Sequence, residues 1–178
     1  MGFGRDAFTQ ARLDKLAPWI NGCFGGSWSL FMATKTMYFP TLTVHVQCGT
    51  GGLDTADRMN GHSMTLAVRS VVKLYELAGR ERTLHRRILG FSISYDDSSA
   101  RVYGHYPVFN GTRCLHYRHT IRTYSYTADQ GKEREFTGRF LSRMYRHWMP
   151  EHFNGICSAI DAIPDGAAPP RGPVGPLI

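Results

Sequence analysis

Apolar and polar residues change period several times along the chain, and each change marks an element. Residues 6–17 carry Phe8, Leu13 and Leu16 at contact spacing and predict a short helix, capped by Asp6 and stopped by Pro18. Asn21-Gly22-Cys23-Phe24-Gly25-Gly26-Ser27 reads as loop. Leu30 to Gln47 is strand-like and breaks near Pro40 into two strands, because proline cannot donate to a ladder. In the second, Val44 and Val46 point one way and His45 and Gln47 the other. A glycine turn over Gly49–Gly52 then leads into the clearest helical pattern, Asp54 to Leu77. Asp54 is its expected N-cap, Asp57 an acid favoured by the helix dipole, and His62 a packed histidine. Met59, Ser63, Leu66, Ala67, Ser70, Val71, Leu74 and Ala78 form its expected buried stripe.

Period two returns after the basic stretch Arg80-Glu81-Arg82-Thr83-Leu84-His85-Arg86-Arg87. Ile88 to Tyr95 is a strand with Leu89, Phe91, Ile93 and Tyr95 on one face, and Asp96-Asp97-Ser98-Ser99 is a turn. Ala100 to Phe109 and Thr112 to Tyr126 are two further strands around the hairpin signal Asn110-Gly111. A last helix runs from about Glu133 to Trp148, is interrupted by Pro150 and resumes to about Ala162. These elements predict an α/β (α+β) fold, a mixed central sheet flanked by helices in a single domain over 1–163. Residues 164–178, rich in Pro, Gly and Ala, predict a disordered tail.

Composition narrows the class. A chain of 178 residues with 42% hydrophobic content suits one globular domain. No apolar run approaches the roughly 18 residues of a membrane span, so no membrane partner is expected. The four cysteines form no C-x-x-C pair, which argues against zinc; they are expected as buried thiols of a cytoplasmic or nuclear protein. The formal charge of +7 favours a partner that carries phosphates. There is no G-x-S-x-G, no P-loop and no G-x-G-x-x-G after a strand, which leaves serine hydrolases and nucleotide-binding enzymes without support.

Several blocks in order carry a resemblance. They include Phe31-Met32-Ala33-Thr34, Met37-Tyr38-Phe39-Pro40, Leu53-Asp54-x-Ala56-Asp57-Arg58-x-Asn60-x-His62-Ser63, Tyr103-Gly104-His105-Tyr106-Pro107-Val108 and Trp148-Met149-Pro150-x-His152-Phe153. From Phe31 to Ile163 the chain resembles an uncharacterised fungal family of restriction-endonuclease-like, PD-(D/E)XK-like proteins. The resemblance implies a strand carrying Glu-x-Lys, with an Asp on the preceding strand, the two carboxylates holding Mg²⁺ and the lysine orienting the attacking water. Here His45 stands where the Glu is expected and Gln47 where the Lys is expected. The strand bearing the first Asp is expected to be missing, since Asp6 comes too late. Neutral imidazole is a poor ligand for a hard cation, so a degenerate site without metal or cofactor is expected, and Mg²⁺ only with an intact site.

His45 and Gln47 are therefore the candidate catalytic positions, with His45 read most simply as a half-buried, hydrogen-bonded strand residue. Asp54, Asp57 and His62 are better explained as structural residues than as metal ligands. The span from Ser98 to Ala128 holds no acid but contains Arg101, Arg113, Arg118 and Arg122 with five tyrosines. His116, Arg118, Thr120 and Arg122 alternate onto one strand face. With Arg86 and Arg87 these arginines are the candidate nucleic-acid contacts. The expected function is a degenerate nuclease-like protein that does not cut but retains nucleic-acid binding. One alternative is an accessory protein or enzyme of fungal secondary metabolism, binding a small molecule around His45 as general acid or base. Another is a non-catalytic interaction module.

Overall fold

The computed structural model describes residues 1–21, 29–48, 52–127 and 134–167. The glycine turn before the long helix lies partly, and the loop 22–28 and most of the Pro/Gly-rich tail wholly, outside the described residues.

The period-two segments become a four-stranded mixed sheet of order β3-β4-β5-β6, formed by β3 (Leu42–Val46), β4 (Gly90–Tyr95), β5 (Ser99–Asn110) and β6 (Arg113–Ser125). β3 and β4 are parallel, with Val44 beside Ile93 and His45 beside Ser94, and α2 (Leu53–Leu77) makes the crossover between them. β4, β5 and β6 form an antiparallel meander. β1 (Phe3–Gly4) and β2 (Met37–Tyr38) pair in a separate ribbon. The protein is thus α+β, with helices on both faces of a mixed sheet.

α2 packs on the face bearing Gly90, Ser92 and Ser94, whose small side chains let the helix approach closely. A Cβ at Gly90 would strike the Met64 methyl group and lie 3.1 Å from the Thr41 carbonyl oxygen. Met64 is fully buried, so its methyl end has to be displaced, and the Thr41 backbone cannot give way. Gly90→Ala should therefore lower stability by about 1–3 kcal/mol in urea unfolding, and Met64→Ala in the same chain should restore part of it. Simple additivity of the two losses would contradict this packing.

The opposite face carries Phe91, Ile93, Val102 and Tyr124. It is covered by α3 (Arg134–Arg143) and a π-helical turn, Met144–Trp148, that runs into α4 (Met149–Asp161). Phe91 meets Phe140 and Trp148 edge-on, and Tyr124 stacks on Phe136. Pro150 sits in the first turn of α4, and the wide turn before it accommodates a ring that can neither donate nor pack under a normal α-turn. α1 (Gln10–Asn21) is fixed to α4 by the Arg12 guanidinium, which donates to both carboxylate oxygens of Asp161.

Several expectations are corrected. Pro18 does not stop the first helix, which continues to Asn21; Leu16 and Trp19 are buried on either side of it, and that burial outweighs the missing hydrogen bond. Asp54 is not the cap of α2: Gly52 holds that position without a side-chain bond, and Asp54 reaches the sheet instead. The buried stripe of α2 is rotated from the expected one. Ala67, Ser70, Val71 and Leu74 are buried, but Met59 and Leu66 are about half exposed, Ser63 and His62 face solvent, and Asp57 and Asn60 are buried in their place. Among the described cysteines only Cys157 is buried; Cys114 is half-buried and Cys48 exposed. The hairpin turns at Gly111-Thr112, one residue beyond the expected pair, with Gly111 at a φ of 58° that glycine adopts without strain.

Candidate functional site

Two polar centres lie near the sheet, both built by register. Pairing places His45, Ser94 and Arg101 in one row across β3, β4 and β5, and Ser92 with Tyr103 in the next. α2 lays Asp57 and Asn60 over these rows. Asn60 Nδ2 donates to the Ile93 carbonyl (3.0 Å) and to Ser94 Oγ (2.9 Å). Asp57 Oδ2 accepts from Arg101 Nη1 (2.7 Å) and from the Tyr103 hydroxyl (2.8 Å), while the same arginine nitrogen reaches Asp54 (2.8 Å). Asp57 Oδ1 has no hydrogen-bond partner.

The electrostatics follow. Burial pushes the Asp57 carboxyl up, but Ser94, Arg101 and Tyr103 beside it outweigh this and hold it below its ordinary value. Bonds to Asp54 and Asp57 raise Arg101, and burial next to the carboxylate raises the Tyr103 phenol. This centre is a charge pair locked into the helix–sheet interface.

The second centre lies further along the same face. His105, 4% exposed, shares a 2.8 Å hydrogen bond between its Nε2 and Ser92 Oγ. Burial and the neighbouring Arg118 push its pKa down to about 4, so the ring is neutral. Arg118 Nη1 donates to the Asp57 carbonyl oxygen (2.7 Å), and its guanidinium lies over the Tyr103 ring at 4.7 Å. A cavity of about 280 Å³ opens between α2 and β5–β6, lined by Arg58, Gly61 and Met64 on the helix and by His105, His116 and Arg118 on the strands.

The predicted residues are distributed as follows. His45 is half-buried on the α2 face, but its ring makes no hydrogen bond among the described residues, against expectation; its only strand neighbour in register is Ser94. Gln47 donates to the Cys48 carbonyl (3.2 Å) and meets no water-activating group. No cluster of three or more His, Cys, Asp or Glu able to hold a metal is present among the described residues. Arg101 and Arg118 serve the two centres under α2. Arg122 does not share their face. A register shift opposite Val102 and Tyr103 inserts Ile121 as an extra residue, which turns Arg122 to the other side, over the rings of Tyr124 and Phe136 at 5.3 and 4.8 Å.

Arg82 and Arg86 come to the end of the hairpin that bears Arg113, whereas Arg87 lies toward Tyr75 and His152. The Arg86 amide donates to the Pro107 carbonyl (2.8 Å), the Phe109 amide to His85 Nδ1 (3.0 Å), and Arg82 Nη2 to the Gly111 carbonyl (2.5 Å). Sequence reading missed the buried roles of Asp57, Asn60 and His105, and it placed Arg82 in a basic stretch without its contact to the hairpin turn. The one available signal was that Asp57 and Asn60 are three apart, on the same helix face as Met64 and Val71.

Fold and site together define a small α+β domain with a buried acid–arginine pair and a basic hairpin end. The chain belongs to the DUF7924 family, a domain of unknown function, whose model matches residues 1–160. No curated protein and no solved structure matches it.

Proposed function

We propose that this is a nuclease-like domain that no longer cuts and that holds nucleic acid at the end of the β5–β6 hairpin. The observation that carries the reading is the junction of two basic segments far apart in sequence: Arg82 and Arg86 pack beside the hairpin end that bears Arg113. Phe109 lies beneath Arg82, whose guanidinium is 5.3 Å from the ring centre. Guanidinium groups presented from a rigid hairpin suit the phosphate spacing of a backbone, and the whole stretch from Ser98 to Ala128 contributes no repelling acid. The absence of cutting is supported by residue type: His45 and Gln47 occupy the positions of the resembled family's Glu and Lys, and neither supplies the charge that Mg²⁺-dependent phosphodiester hydrolysis needs.

The test is anisotropy binding of a labelled DNA duplex over a range of salt. Affinity should fall with a log–log slope of about −0.9 for each phosphate contacted. Arg86→Glu with Arg113→Glu should weaken binding at least tenfold and flatten the slope, while incubation with Mg²⁺ leaves the duplex whole. Binding that ignores both the salt and the charge reversal would sink the proposal.

A further inference from the structure

We propose a second, separate site: the cavity between α2 and the β5–β6 hairpin takes a small oxyanion, the carboxylate or phosphate group of a small molecule. It does not rest on the nucleic-acid reading, because it uses neither Arg86 nor Arg113.

Charge comes first. Asp57 also lines the cavity: Arg101 and Tyr103 engage its Oδ2, while Oδ1 has no partner. What the cavity presents beyond that pair is Arg58 and Arg118. Arg118 is pre-positioned: one N–H is bonded to the Asp57 carbonyl, and its guanidinium lies over the Tyr103 ring at 4.7 Å. A guanidinium held by other groups loses little freedom on binding, and its remaining N–H groups form the planar fork that fits an oxyanion.

The neutral histidine comes second. His105 Nε2 is engaged by Ser92 Oγ, and Nδ1 has no partner among the described residues. Ser92 is fully buried, and its hydroxyl can donate to Nε2. In that tautomer the proton sits on Nδ1, and His105 becomes a neutral donor on the cavity wall. A neutral donor beside a cation serves an anion well and a cation badly.

Shape comes third. Gly61 leaves the helix side open: a Cβ there would lie 3.5 Å from Arg118 Nη1, and anything longer would enter the space over the guanidinium. At about 280 Å³ the cavity lies at the small end of ligand sites, suited to a compact molecule rather than a polymer.

The experiment titrates the full chain with inorganic phosphate and, separately, with acetate, against chloride at matched ionic strength. Calorimetry and the ring nitrogen resonances of His105 are followed together. The expected result is a saturable heat with either anion and a saturable shift of the His105 Nδ1 signal that chloride does not produce. Response to phosphate alone identifies a phosphate ligand, and response to acetate alone a carboxylate ligand. Gly61→Leu fills the space without disturbing the helix and should weaken binding at least tenfold, as should Arg118→Gln. If a variant does not fold, the His105 shift in the unaltered chain decides the matter. Charge reversal at Arg86 and Arg113 together, which weakens DNA binding on the reading above, should leave the anion titration unchanged, so each idea can fail without the other. No saturable His105 shift with either anion, or one that Gly61→Leu leaves intact, overturns the site.

Discussion

Arg101→Ala should destabilise the domain by about 3–5 kcal/mol, because it leaves the Asp57 carboxylate buried under α2 without its cation. The Tyr103 hydroxyl still donates to Asp57, but one neutral donor does not replace a guanidinium. Arg101→Ala with Asp57→Leu should be less damaging than the sum of the single changes, since no buried charge then remains. Urea unfolding of the four chains gives the coupling energy directly. A loss under 1 kcal/mol for Arg101→Ala, or strict additivity, would show that the pair is not the lock described. Arg101 is also a candidate nucleic-acid contact by sequence. Its commitment to Asp54 and Asp57 predicts that its replacement lowers stability without changing the salt slope of DNA binding.

Stability should fall on mild acidification, well above the range in which carboxylates titrate. His105 and His152 both have native pKa values of about 4, lowered first by burial and then by Arg118 and Arg87 respectively. His152 stacks on Trp148 at 4.4 Å, and its buried Nε2 has no partner. Unfolded histidine titrates near 6.5. Between roughly pH 6.5 and 4 the unfolded chain binds protons that the native chain excludes, so stability is complete above this window and declines through it as pH falls. At pH 5 each histidine should remove about 2 kcal/mol. Asp57 acts in the same direction only at lower pH: its depressed native pKa contributes stability that is present above the unfolded carboxyl value and lost as pH falls through the native one. Urea midpoints at pH 7.5, 6 and 5 check this. His105→Gln should flatten the decline by about half, and a midpoint that does not move between pH 7.5 and 5 would contradict both burials.

Much of the fold was legible because it is encoded locally. The α2 boundaries, the break at Pro40, the shared face of Leu89, Phe91 and Ile93, the Asp96 turn and the hairpin all follow from period, turn residues and proline chemistry. The candidate site was legible only as types of residue. Counting apolar positions turned α2 the wrong way, because it assigned Met59 and Leu66 inward and had no reason to bury Asp57. A buried acid is unfavourable alone and becomes favourable only when Arg101 and Tyr103 arrive from a strand more than forty residues away.

By itself the sequence determined the element order, the mixed α+β class and the basic character of the hairpin, all properties of residues and their near neighbours. Only the tertiary structure decided which arginines are spent and which are presented. Arg101 is drawn under the helix by long-range pairing, Arg118 is anchored at the cavity edge, Arg122 is turned away by one extra residue in β6, and Arg82 and Arg86 are brought to the hairpin end. Register and packing between distant segments set these outcomes, because a side chain's partner depends on which strand lies beside it, and that neighbour exists only once the sheet has formed.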